Sequence, residues 1–204
     1  MKTLLTVTNS KLGGYIAQLN FPAGISCRPD APCAHGCYAN KHHFRMVNIV
    51  NSMQEKLTFY FKDPDKFFRC LDTELMMIPY NYMRYFSSGD IPDGIFFLMM
   101  CRLARRHPFT HFLCFTKKYE IINEYLSEGK RIPSNLVVVL SNWGDWIAEN
   151  PHSLPTAWVM FGDERDSHIP DDARTCSGNC GNCVLTDSHC WNMKKNDSVK
   201  FKKH

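Results

Sequence analysis

The stretch YMRYFSSGDIPDGIFFLMMCRLARRHPFTHFLCFTKKYEIINEYLSEGKRIPSNLVVVL, residues 82–140, decides the fold. It reads as a strand from Tyr82 to Phe86, a loop Ser87-Ser88-Gly89-Asp90, and a helix from about Pro92 to Arg106. A strand His111 to Phe115, a helix Tyr119 to Glu128 and a strand Leu136 to Leu140 follow. Strands that alternate with helical segments imply parallel strands joined by helical crossovers. Pro92 suits the first turn of its helix, where its missing N–H has no partner to lose.

Working outward, Tyr15 to Phe21 alternates apolar and polar residues and ends at Pro22-Ala23-Gly24, so it reads as a strand running into a loop. From about His43 to Phe61, Met46, Val50, Met53, Leu57 and Tyr60 recur at helical spacing. A second helix, Pro64 to Met77, carries Phe67, Phe68, Leu71 and Leu75. Downstream, a strand Ala157 to Phe161 precedes Gly162-Asp163-Glu164. Polar residues gather after strand ends, at Ser87/Gly89/Asp90, Thr116/Lys117/Lys118, Ser141/Asn142/Trp143 and Gly162/Asp163/Glu164. In parallel α/β folds and barrels that edge of the sheet is the functional face. The expectation is an α/β fold with parallel strands, a partial (β/α) TIM-like barrel over 1–170, with a cysteine-rich metal lobe over 171–193 and a basic tail over 194–204.

A chain of 204 residues is long enough to bury one core without disulfide staples. Its 44% hydrophobic and 22% charged residues are ordinary for a globular domain. The early apolar run, Leu4 to Val7, is too short for a signal-peptide core, and the longest apolar stretch, Ile95 to Leu103, is broken by Arg102, Arg105 and Arg106. A cytoplasmic, membrane-free protein is expected. In such a reducing compartment ten cysteines are better explained by metal ligation and a few buried thiols than by disulfides. The net charge of +4 is small. Lys194, Lys195, Lys200, Lys202 and Lys203 read as a solvated, frayed tail, with a nucleic-acid contact as the alternative.

Cys176, Cys180, Cys183 and Cys190 supply four thiolates within a short span, with Gly178 and Gly181 letting the backbone turn between them. Four close cysteines complete either a tetrahedral zinc site or a [4Fe-4S] cluster, and the spacing leans toward iron–sulfur because only Cys180 and Cys183 form a CxxC pair. Cys27, Cys33 and Cys37 are three thiolates on one loop, which would leave one iron of a cluster open for a ligand. His35, His42 and His43 are the alternatives that would complete a zinc site there. Cys70, Cys101 and Cys114 lie in apolar patterns and read as small hydrophobes, Met76, Met77, Met99 and Met100 as core filler, and Phe112 and Trp158 as strand core. Asp163, Glu164, Asp166 and His168 cluster after the last strand and are candidates for steadying the metal ligands through hydrogen bonds.

The blocks GYIAQLNFPAGISCRPDAPCAHGCYANK (14–41), RYFSSGDIPD (84–93) and FLCFTKKYEI (112–121), with the C-terminal CxxxCxxC and closing Cys190-Trp191, resemble the phage gene product 88 family. The resemblance spans about Gly14 to Trp191 and implies a phage setting more than a reaction. A more distant likeness is to radical S-adenosylmethionine enzymes, whose cluster loop follows the first barrel strand. That likeness implies that Cys27, Cys33 and Cys37 hold the cluster, with Tyr38 beside it. It also implies that Ser88, Gly89 and Asp90 bind the methionine amino group of S-adenosylmethionine. The spacing of the first three cysteines departs from the usual CxxxCxxC, which occurs instead at Cys176, Cys180 and Cys183.

Three functions are consistent with these residues. The first is an iron–sulfur enzyme with one or two [4Fe-4S] clusters, in which Asp90, Arg84 and Lys117 serve the reaction and the two cations, with Lys118, hold an anionic small-molecule or macromolecular substrate. The second is a zinc-stabilised nucleic-acid-binding module, and the third a redox or regulatory iron–sulfur protein.

Overall fold

A computed structural model describes residues 3–7, 12–40, 42–186 and 189–203. The first strand, β1 (Ile16–Leu19), leads through the cysteine loop into two helices, α1 (Val47–Lys62) and α2 (Pro64–Met77). The order then runs β2 (Tyr82–Tyr85), α3 (Gly94–Arg106), β3 (His111–Thr116), α4 (Tyr119–Ser127), β4 (Leu136–Ser141) and β5 (Thr156–Met160). It closes with β6 (Arg174–Thr175), α5 (Cys180–Thr186) and β7 (Ser198–Lys202). All seven strands pair in parallel in the order β1-β2-β3-β4-β5-β7-β6.

Helix limits follow from capping. Asp63 accepts from Lys66 N at 2.9 Å ahead of Pro64, and Asp93 accepts from Phe96 N at 2.8 Å. Asp93 is therefore the cap of α3, and Pro92 precedes the helix instead of standing in its first turn as the sequence suggested.

Consecutive strand order with right-handed crossovers puts α1 to α4 on one face of the sheet. There Leu57, Phe67, Phe96 and Ile122 pack on Ala17, Tyr85, Phe112 and Leu140 in the larger core cluster. The opposite face presents Ile16, Leu113, Val139, Ala157 and Val199, covered by Leu12, Val184, Trp191 and Met193. Cys176, Cys180 and Cys190 pack against that second cluster. The C-terminal cysteine segment is thus part of the core and not an appended lobe, because the sheet has a second apolar face that no helix of the crossovers can cover.

The lysine-rich tail is corrected in the same way. Residues 198–202 alternate Ser-Val-Lys-Phe-Lys, and as β7 they insert between β5 and β6 with Val199 fully buried. The sheet is open between β1 and β6 among the described residues, and Thr6 adds an antiparallel bridge to Gln18 at the β1 edge. Cys101, Cys114, Met100 and Phe112 are fully buried as expected, whereas Met76 and Met77, read as core filler, are 67% and 76% exposed. They fall at the end of α2, beyond the stripe of Phe67, Phe68, Leu71 and Leu75 that meets the sheet.

Candidate functional site

Because every strand is parallel, the loops after β1, β2, β3, β4 and β5 leave from one edge of the sheet. The loop after β2 is fixed first by Asn20. Its Oδ1 accepts from Ser87 N at 2.8 Å and Ser88 N at 3.2 Å, while its Nδ2 donates to Gln18 Oε1 at 3.0 Å. Phe86 leaves the strand with φ of +58°, and Gly89 follows at +82°. A Cβ on Gly89 would stand 2.6 Å from Ser26 Oγ and 2.8 Å from Phe21 O, so only glycine lets the two loops approach this closely.

Asp90 is 6% exposed, and its carboxylate accepts from Thr116 Oγ1 (2.6 Å), Ile91 N (2.8 Å) and Lys117 N (2.9 Å). Burial raises its carboxyl above the usual range, with these donors working the other way. Its own N–H donates to Ser26 Oγ at 3.0 Å. Ser88-Gly89-Asp90 therefore clamps the start of the cysteine loop to β2 and β3, with Asp90 committed to three donors.

Cys27, Cys33 and Cys37 sit on the loop above that clamp. Burial pushes the Cys27 thiol up to about 11, with Asp90, Cys37 and Cys33 adding to the rise, and it raises Cys33 against the opposing charge of Lys117. The three sulfurs thus share a neighbourhood with one carboxylate and one lysine. The outer side of the loop is held by Arg28, which bonds Asp30 at 2.9 Å and Glu120 at 2.8 Å, with its guanidinium 5.3 Å from the Trp146 ring centre. No sequence motif singled out Arg28; Asp30 is two residues away, but Glu120 and Trp146 are distant in the chain. His35 is exposed, and the His42 and His43 side chains lie outside the described residues. A cleft of about 460 Å³ beside the loop is lined by Pro22, Ala23, Ile25, Ala39, Phe44 and Met53, among others.

The second cysteine set reaches the same region from the opposite end of the chain. Cys176 N donates to Lys200 O at 2.8 Å next to the β6–β7 pairing, Gly178 N donates to Cys176 Sγ at 3.4 Å, and Asn179 Oδ1 caps α5 through Asn182 N at 2.9 Å. Tyr15 donates its hydroxyl to Gly181 O, and a Cβ on Gly181 would lie 3.2 Å from the backbone at Leu12 and Gly13. Burial pushes the Cys190 thiol up to about 12, reinforced by Cys176, Cys183 and Cys180 and opposed by Arg84.

Arg84 joins the two sets. On β2 it alternates with the core residues Met83 and Tyr85 and so shares a face with Tyr82, which meets Trp191 edge-on at 5.1 Å. Its Nη1 donates to Cys180 Sγ at 3.5 Å, and its guanidinium carbon lies 5.2 Å from the Phe115 ring centre. Burial works against its charge, but Cys180, Tyr38, Cys190 and Cys176 outweigh that and hold the guanidinium above its ordinary value. No carboxylate among the described residues pairs with it, and Nε has no protein partner. Tyr38 donates its hydroxyl to Ser87 O and is influenced by Arg84, Cys37, Cys180 and Cys27 together. Ser87 and Ser88 are 5% and 3% exposed, and their hydroxyl oxygens also lack partners.

Farther along the same edge, Lys117 Nζ lies 5.8 Å from the Trp143 ring centre, and Trp143 meets Phe161 at 5.4 Å. Arg165 and Lys203 lie 3.9 and 4.7 Å from the Phe161 centre. Lys118 begins α4, its N–H on Thr116 Oγ1 at 2.9 Å. Asp166 accepts from Phe161 N and Gly162 N at 2.8 Å, Asp163 pairs with Arg165, and His168 lies 3.3 Å from Asp145. These contacts brace the loop after β5 and, through His168 and Asp145, tie it to the loop after β4.

Among the described residues no three His, Cys, Asp or Glu side chains converge tightly enough to hold a metal ion in this conformation. What fits a thiolate-bound metal is the donor set: cysteine sulfurs that accept from Gly178 N and Arg84 Nη1, beside a cation with no carboxylate partner. No described helix is long and apolar enough to cross a membrane. Neither the curated proteins nor the solved structures compared with the chain gave a match. The family model described as gene product 88 matches residues 2–204, and the chain accordingly belongs to the gene product 88 family.

Proposed function

We propose that this is a cytoplasmic iron–sulfur protein in which Cys176, Cys180, Cys183 and Cys190 hold one [4Fe-4S] cluster and Cys27, Cys33 and Cys37 hold a second with an open iron. The observation that carries this reading is Arg84. A guanidinium packed on a core face without a carboxylate is costly unless an anion meets it, and the groups around it are Cys180, Cys190, Cys176 and Tyr38. Protonated thiols do not supply that charge; metal-bound thiolates do.

A cluster held by three thiolates can offer its fourth position to a substrate or cofactor, S-adenosylmethionine in the radical version. In this reading the sheet serves as a partial barrel whose mouth carries the chemistry. Gly89 and Asp90 fix the height of the cysteine loop, the Ser87 and Ser88 hydroxyls are free to receive a polar ligand group, and Lys117 and Lys118 draw an anionic substrate toward the edge. Tyr38 lines the side facing the second set.

The test is anaerobic purification with iron, acid-labile sulfide and zinc assayed together, and spectra taken before and after dithionite and with S-adenosylmethionine. About eight irons per chain with matching sulfide and a spectrum that bleaches on reduction is the expected result for two four-iron clusters. Zinc without sulfide would refute it and leave a zinc-stabilised module, with binding to nucleic acid as its next test.

A further inference from the structure

The cleft of about 460 Å³ beside the first cysteine loop has no part in the chemistry proposed above. It is lined by the small buried cluster of Ala39, Phe44 and Met53, against which Ala23, Ile49 and Cys37 pack. Pro22, Ala23 and Ile25 supply further apolar wall, and Ile25 stays 61% exposed although it is a large apolar side chain. From α1 the lining residues are Val50, Met53 and Gln54, whose spacing of three and four puts them on one face of the helix. The cleft therefore runs along the first turns of α1, with hydrocarbon on both the loop side and the helix side.

Its charge is of one sign. Arg45 is the one charged side chain among the described lining residues, Asn40 and Gln54 add amides, and no carboxylate among the described residues pairs with Arg45. Helix α1 begins just after Arg45 with no side-chain cap and no acidic residue in its first turn, so the positive end of its dipole adds to the same field. An apolar surface under an uncompensated cation complements a molecule that is hydrocarbon over most of its length and anionic at one end. The volume lies within the range of small-molecule sites. At the roughly 30 Å³ that a water molecule takes up in the liquid, it has room for about fifteen groups of that size, which suits a fused ring system or a medium-length chain.

We propose that this cleft binds a small organic anion with an apolar body, its acidic group meeting Arg45 at the start of α1 and its hydrocarbon lying on Ala39, Phe44 and Met53. Because Cys37 packs on the same cluster, the bound molecule stands against the first cysteine loop. Binding here does not depend on either cysteine set holding metal.

The experiment titrates the full-length protein, as purified, with anilinonaphthalene sulfonate, an aromatic ring system with one anionic group, and follows its fluorescence. Decanoate and decanol then compete for it, being matched in hydrocarbon and different in charge. The expected result is one saturable site per chain from which decanoate displaces the probe about tenfold better than decanol. Arg45→Gln should remove that preference by weakening decanoate alone, and Arg45→Lys should keep most of it. Val50→Trp, which fills the cleft from the helix side, should abolish binding of both, whereas Arg102→Gln, an exposed cation on α3, should change nothing. Many weak sites, decanol competing as well as decanoate, or binding unaltered by Arg45→Gln would each overturn the inference. If Val50→Trp fails to fold, the pair of Arg45 variants still decides. Protein without iron or sulfide that nevertheless gives the expected titration would overturn the proposed function and leave this site standing.

Discussion

Replacing Gly89 by alanine isolates the contact that seats the first cysteine loop. The substitution carries two penalties. A non-glycine residue at φ of +82° costs about 1–2 kcal/mol in any setting. The added Cβ also meets Phe21 O at 2.8 Å and Ser26 Oγ at 2.6 Å, and although the hydroxyl can swing aside, the backbone carbonyl next to β1 cannot. Forcing atoms into packed structure typically costs about 1–3 kcal/mol more. Gly24 is the control within the same loop: its φ is +81° and a Cβ there meets nothing within 4 Å. With an m-value of about 2–3 kcal/mol per M for urea, Gly89→Ala should lower the unfolding midpoint by about 1–2 M and Gly24→Ala by about 0.5 M. Equal shifts in the two variants would refute the close-approach argument, whatever their size. If the clamp also sets the height of the loop, Gly89→Ala should lose metal from the Cys27/Cys33/Cys37 set while retaining it at the C-terminal set.

Asn20→Ala removes the acceptor of two buried N–H groups, at Ser87 and Ser88, and should destabilise by about 2–4 kcal/mol in urea unfolding. Thr116→Val deprives the buried Asp90 carboxylate of its shortest donor and should cost about 1–3 kcal/mol, much of it recovered in a background where Asp90→Asn has removed the charge. Lys56, 7% exposed on α1, has its ammonium lowered by burial, with Glu74 as a weaker counter-influence. Its folded pKa is below the unfolded one, so the unfolded chain holds more protons between the two values and stability rises with pH across that window. Lys56→Met should unfold at higher urea than wild type at pH 7, and the gap should narrow as pH approaches the unfolded lysine value; a gap that is constant with pH would refute the charge as the cause.

Most of the fold was legible because its parallel strands and crossover helices carry long, regular apolar patterns. Helix α2 has the bounds that its periodicity gave, and the strand ends of β1 to β5 fall within a residue or two of expectation. Two strands were missed for opposite reasons. β6 is only Arg174–Thr175, too short to have a pattern, and β7 is a period-two strand whose two lysines read as part of a solvated tail. Spacing in the sequence grouped the cysteines, but it could not show that Arg84, ninety-six residues before Cys180, would be their common neighbour. Nor could it show that the Ser88-Gly89-Asp90 loop, read through its likeness to a cofactor loop, has its carboxylate engaged by Thr116, Ile91 and Lys117. Those links depend on strand register, which local patterns do not encode.

The register also explains why a cysteine segment should lie where a helix layer is usual. Consecutive right-handed crossovers leave one face of a parallel sheet bare, and a bare face lined by Ile16, Leu113 and Val139 requires a cover. In this chain the cover is short: Leu12, a seven-residue helix, Trp191 and Met193. Segments of that length bury little apolar area and do not hold themselves in place by helix formation. Metal bound by Cys176, Cys180, Cys183 and Cys190 would supply the missing cross-links, so on the proposed function, loading the cluster and closing the second half of the core are one event. Arg84 then stands at the junction, a charge that the core tolerates only when the cover arrives with its thiolates. Chelation or oxidative loss of the cluster should therefore expose Trp191 and Tyr82 to solvent together while the α1–α4 face keeps its packing, a pattern that tryptophan fluorescence and hydrogen exchange read independently. Loss of both faces at once would show that the segment owes its place to apolar contact alone.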